Sequence, residues 1–133
     1  MNRIIILILG AILLQACAAV DDSKKSISLD KSLYFYESAM RWADFSSANS
    51  LRRYEGEDTP ANDPEKLKRI KVTGYDVLST KPSADDSAVN ITVRISYYDE
   101  DSLKLMSLTD NQVWQYDATE NIWYISTALP VFK

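Results

Sequence analysis

The spacing of apolar residues changes once along this chain, from a period near 3.6 to a period of two, and that change decides which layers it can build. From Ser28 to Ser47, Leu29, Leu33, Tyr36, Met40 and Ala43 recur at intervals of three and four, with Phe35, Ala39 and Trp42 widening the stripe. This is the pattern of a helix with one buried face. Ser28 or Asp30 can cap its start by accepting orphan backbone N–H groups. A second short helix, from about Ser47 to Tyr54, follows a bend at Ser46-Ser47. Further on, Val89, Ile91, Val93, Ile95 and Tyr97 alternate without fault against Asn90, Thr92, Arg94 and Ser96, which predicts a half-buried strand. Ile70, Val72, Tyr75 and Val77 predict another, with a bulge near Gly74 where the alternation slips. Ser102–Tyr116 and Asn121–Ala128 supply at least two more around a turn at 117–121, the first being either one long bent strand or two. Between the halves, Glu55–Pro64 carries Gly56, Pro60 and Pro64 and reads as a surface loop. Pro64 can open one more helical turn. Helices followed by strands predict an α+β domain, with one or two N-terminal helices packed on an antiparallel sheet of about four strands.

Ahead of that domain, Asn2-Arg3, the apolar run Ile4–Leu14 and the small Ala16 have the anatomy of a secretory signal. A helix needs about 20 apolar residues to cross a bilayer core, so Ile4–Leu14 is too short for a permanent span. The single cysteine of the chain, Cys17, stands directly behind, with no second thiol to pair with. Leu14-Gln15-Ala16-Cys17 resembles the lipobox of bacterial lipoproteins. The resemblance implies cleavage before Cys17 and lipidation of its sulfur, usually with a third acyl chain on the new amino terminus. One chain holds a protein only marginally, at about 0.8 kcal/mol per buried methylene, whereas two or three make a stable anchor. Ala18 in place of an aspartate implies the inner leaflet of a Gram-negative outer membrane, facing the periplasm. Cleavage after Ala18 or Ala19 instead would leave an unmodified chain. On the lipoprotein reading, residues 1–16 are the signal, 17–27 the lipidated cysteine and a flexible tether, and 28–133 one domain.

Residues 17–133 suffice for one domain and are too few for two. A domain of this length buries enough surface to stand without disulfides or metal. Losing Arg3 with the signal moves the formal net charge from −4 to −5, which argues against nucleic acid and anionic headgroups as partners. The chain has no histidine. Ser-His-Asp and Cys-His catalysis, histidine-ligated zinc and histidine acid/base work are thereby excluded.

The helix Tyr34-Phe35-Tyr36-Glu37-Ser38-Ala39-Met40-Arg41-Trp42, the strand Val89–Tyr97 and the hairpin Val113–Tyr116 with Ile122–Ile125 resemble the cone-shaped, cystatin-like superfamily of nuclear transport factor two. Enzymes of that superfamily place carboxylates and tyrosines inside the cone. That makes Glu37, Asp44, Tyr36, Tyr97 and Tyr116 the candidates for simple acid/base chemistry. Glu37 and Arg41, four apart on a helix, more naturally form an exposed pair. Tyr97-Tyr98-Asp99-Glu100-Asp101 lacks the glycine and alternate spacing of a calcium loop and reads as a solvated hairpin tip. No metal or cofactor is expected. Eight tyrosines and three tryptophans exceed what one small core needs, and aromatics are enriched where proteins meet. In the last hairpin Trp114, Tyr116, Trp123 and Tyr124 cannot all face one side, so one set is expected to pack on the helix and the other to form an interaction surface, unless a twisted sheet covers both. These features predict a membrane-anchored periplasmic lipoprotein acting as a non-enzymatic binding module, with a protein partner or a homodimer. The alternative is a small-ligand pocket inside the cone.

Overall fold

The computed structural model describes the backbone of residues 2–53 and 62–133, with side chains from Val20 onward in those ranges. Helix α1 (Asn2–Arg41) and the short α2 (Phe45–Ser50) and α3 (Pro64–Arg69) precede four strands: β1 (Ile70–Pro82), β2 (Ala88–Asp99), β3 (Leu105–Asp117) and β4 (Ile122–Ile125). The strands form one antiparallel sheet in sequence order. The α+β arrangement read from the change of period is the one observed.

Helix α1 begins well before Ser28, so the stretch expected to be a flexible tether is helical, and Ser28 and Asp30 are interior residues rather than caps. From Ala11 to Arg41 the sequence holds no glycine or proline to stop a helix. Contacts from the last hairpin hold this stretch and its end: the Trp123 indole N–H of β4 donates to the Lys25 carbonyl at 3.1 Å, and the Ser28 hydroxyl to the carbonyl of Asn121 in the β3–β4 turn at 3.3 Å. The break between α1 and α2 falls at Ala43, not at Ser46-Ser47. Ala43 adopts φ 54°, while its N–H reaches the Met40 carbonyl and that of Asp44 the Ala39 carbonyl, a Schellman closure of the helix. Asp44 then caps α2, accepting from the Ser47 N–H at 3.0 Å.

The register of β1 against β2 shifts between Val72 and Gly74 and again between Val77 and Ser79. Gly74 sits at the first irregularity, where a β-carbon would lie 3.3 Å from Ser96 Cβ. β3 is one unbroken strand. The core lies between α1 and one face of the sheet. Tyr36, Ala39 and Met40 of α1 meet Ile91, Val93 and Ile95 of β2 together with Trp114, Trp123 and Ile125. The C-terminal segment closes the far end: Phe132 packs against Phe45 and Tyr97, ring centroids 5.0 and 4.9 Å away. Asn62 holds that segment by bonding the Pro130 carbonyl and the Phe132 N–H, each at 2.9 Å. Of the loop expected over 55–64, residues 55–61 lie outside the described residues.

Candidate functional site

Pairing of Val93 with Asp110, Ile91 with Gln112 and Val89 with Trp114 sets three polar or amphipathic side chains of β3 on the face that α1 covers. Asp110 is 4 % exposed, Gln112 1 % and Trp114 0 %. Gln112 links the others. Its amide nitrogen donates to Asp110 Oδ2 at 2.8 Å and to the Tyr75 hydroxyl at 3.1 Å, and its oxygen accepts from the Trp114 indole N–H at 2.9 Å. Tyr36 comes down from α1 edge-on to Trp114, centroids 5.7 Å apart at 89°, and 6.5 Å from the Tyr75 ring. Arg52, just past α2, donates to the Tyr36 hydroxyl and to the Thr127 carbonyl, while its Nε and Thr127 Oγ1 are buried without a partner.

Burial dominates the protonation of this cluster. It pushes the Asp110 carboxyl above the usual carboxylate range, against the opposing pull of the Gln112 hydrogen bond and the Arg52 charge. Burial likewise raises the Tyr36 phenol, opposed by Arg52, and the Tyr75 phenol, opposed by the Gln112 hydrogen bond. These groups hold protons more firmly than free side chains do.

Of the acid/base candidates read from the sequence, only Tyr36 belongs to this cluster. Glu37 faces outward and receives the Arg41 guanidinium at 2.8 Å. Asp44 caps α2. Tyr97 lies at the far end, accepting from the Lys133 N–H at 3.1 Å. Tyr116 donates to Asn121 Oδ1 at 2.9 Å near the sheet rim. Asp110, Gln112, Tyr75 and Arg52 were not singled out by sequence. The signal for two of them is the alternation of β3, in which Asp110 and Gln112 keep phase with Met106, Leu108 and Trp114.

A cleft of about 310 Å³ opens where α1 passes the β1–β2 turn, floored by Leu29, Pro82, Val89 and Trp123 and rimmed by Lys25 and Asp86. The Lys25 ammonium stands 5.0 Å from the Tyr116 ring centroid and 5.8 Å from that of Trp123, a cation–π arrangement. At the β2–β3 turn Glu100 and Asp101 are exposed, as expected, while Asp99 is buried, and all three meet cations. Arg69 reaches Asp99 at 3.4 Å and Asp101 at 2.9 Å, and Lys71 reaches Glu100 at 3.5 Å. Among the described residues no group of three or more Asp, Glu, Cys or His could hold a metal ion.

The terminal hairpin does not carry the aromatic strip proposed for it. Trp114, Tyr116 and Trp123 share the helix-facing side, because Tyr116 pairs with Trp123 and Trp114 with Ile125. Trp114 and Trp123 are 0 % and 2 % exposed, and Tyr116 lies 5.2 Å from Trp123. Tyr124 alone takes the outer face, beside Gln115 and under the Arg53 guanidinium at 4.7 Å. The exposed aromatics are on α1 and directly past its end instead: Trp42 is 84 % exposed, Tyr34 76 %, and Phe35 also faces outward. Phe35 and Trp42 therefore do not widen the buried stripe. Trp42 stands only two residues from the buried Met40, about 200° around the helix.

The side chains of Leu14, Gln15, Ala16 and Cys17 lie outside the described ones, and among the described residues no helix is long and apolar enough to cross a membrane. No known protein family, curated protein or solved structure matches the chain.

Proposed function

We propose that this protein is a lipoprotein anchored through Cys17, facing the periplasm from the inner leaflet of the outer membrane, and that its α+β domain acts by binding rather than by catalysis. The observation that carries this reading is the placement of Tyr34 and Trp42, two large exposed aromatics on and directly past the helix that begins before Cys17. Aromatics so placed bury a large area on contact while keeping a polar tip for water. The interior favours binding as well. Asp110, Gln112, Tyr75 and Trp114 bond one another, and the Tyr36 ring packs edge-on against Trp114 and Tyr75.

Mass spectrometry of the protein purified from bacterial membranes, beside Cys17→Ala, tests the anchor. An acylated chain starting at residue 17, lost in the variant together with membrane attachment, is the expected result. An unmodified chain cut elsewhere overturns it. The cleft floored by Leu29, Val89 and Trp123 supports a second reading, a site for a small apolar ligand. A ligand-dependent shift of the Trp123 indole N–H resonance, whose hydrogen bond to the Lys25 carbonyl borders the cleft, is its measurable sign.

A further inference from the structure

We propose that the outward face of α1 between Val20 and Trp42 lies against the headgroup region of the bilayer that holds the acylated Cys17. The inference rests on the anchored-lipoprotein reading and names the surface that the exposed aromatics engage.

Val20, Ile27 and Tyr34 follow one another at intervals of seven, as do Phe35 and Trp42, and all five are exposed. At 3.6 residues per turn these positions, with Lys24 and Lys31, occupy an arc of about 100°. The opposite arc holds Leu29, Leu33, Tyr36 and Met40, packed on the sheet. A ridge of aliphatic and aromatic side chains with lysines among them has the composition of a helix lying in a membrane interface. Tyrosine and tryptophan rings settle at headgroup level, lysine stems lie along apolar surface while the ammonium reaches phosphate, and the apolar face sinks about 5–10 Å.

Three further observations favour lipid as the occupant. The charged residues within the arc are Lys24 and Lys31, while Asp21 stands to one side of it and Asp30 and Glu37 to the other, with Glu37 engaged by Arg41. The ridge is thus locally cationic although the chain is acidic, which suits anionic phospholipid. In sequence, Cys17 precedes Val20 by three residues and Lys24 by seven, a spacing that continues the ridge toward the anchor. From residue 17 to Arg41 the helix spans about 36 Å, and a surface already held by acyl chains needs only weak affinity to engage, because its effective concentration is high. A second copy fits less well. Two chains anchored in one leaflet enter with the same polarity, so ridge-to-ridge pairing sets Lys24 against Lys24 and Lys31 against Lys31, and charge in such a seam is destabilising.

The test uses the full acylated protein in vesicles of phosphatidylethanolamine and phosphatidylglycerol, with and without brominated acyl chains. Trp114 and Trp123 are buried, so subtracting the emission of Trp42→Phe isolates Trp42. The expected result is severalfold quenching of Trp42 by brominated lipid and protection from aqueous acrylamide, with protection reduced in Lys24→Glu/Lys31→Glu. If Trp42 stays open to acrylamide and blind to bromine while the mass confirms acylation, the membrane-lying face is wrong and the anchor stands. Shielding of Trp42 that follows protein concentration in detergent without bilayer assigns the ridge to a second copy and overturns the proposal. An unacylated Cys17 in the same preparation overturns the anchored reading and this proposal together.

Discussion

Gln112 donates to Asp110 from two residues along the same strand, at 2.8 Å, inside a face of the sheet that water does not reach. Its other amide atom is taken by the Trp114 indole. Replacing Gln112 by Leu keeps the bulk but leaves a buried carboxyl and a buried indole N–H without partners. The expected cost is about 1–3 kcal/mol, read as a lower urea midpoint. The double variant Asp110→Leu/Gln112→Leu should lose less than the two single losses combined, since no stranded carboxyl remains.

The raised pKa of Asp110 gives stability a definite dependence on pH. The native state keeps a proton that the unfolded chain releases near pH 3.9, so stability falls as pH rises from there through the native value. Asp110→Asn cannot ionise. Urea titrations should find its advantage over the wild type at pH 7 and a smaller difference near pH 4. Equal differences at the two pH values would mean that the carboxyl is neither desolvated nor neutral.

Tyr36 and Tyr75 extend the same argument to alkali. Both phenols are raised by burial, so the native state retains protons that unfolded tyrosines release near pH 10, and stability falls as pH climbs beyond that point. The urea midpoint of Tyr75→Phe should decline less steeply between about pH 9 and 11 than that of the wild type.

Trp114 and Tyr124 sit on opposite faces of the last hairpin. Trp114→Ala opens a cavity under Tyr36 and is expected to cost about 3–5 kcal/mol. Tyr124→Ala removes a half-exposed ring and one hydrogen bond to Gln115, for about 1 kcal/mol. Thermal melts of the two variants compare them directly, and similar losses would contradict the assignment of faces.

Leu103 holds φ 53° while 73 % exposed. An L-residue there carries about 1–2 kcal/mol of strain that glycine avoids, offset by the greater freedom glycine has when unfolded. Leu103→Gly should raise stability by about 0.5–1 kcal/mol in a denaturant titration.

The sheet was legible because Val89 to Tyr97 alternate cleanly, and because the slip at Gly74 marks a bulge by its own broken phase. Length of α1 was less so. Ala18–Ser26 is polar, and polarity was read as a tether, although the helix there is stabilised by contacts with Trp123 and Asn121 from the other end of the sequence. Those contacts leave no local pattern. The interior cluster escaped for a related reason: Asp110 and Gln112 sit in phase with apolar neighbours, yet their burial depends on Tyr75 and Trp114 being placed to bond Gln112. Trp42 and Phe35 show the converse error, since aromatic character alone suggested burial while the helical angle from Met40 pointed outward.

The unbroken run of α1 has a mechanical meaning. A flexible leash lets a domain search a volume around its attachment, its orientation averaged away. Here the sheet grips the helix at Lys25 and Ser28 and packs on it as far as Met40, so the strands cannot swivel independently of this part of the rod. Whatever seizes the rod near its beginning sets a bearing for every strand, and the outer face of the sheet looks in one direction rather than sweeping through many.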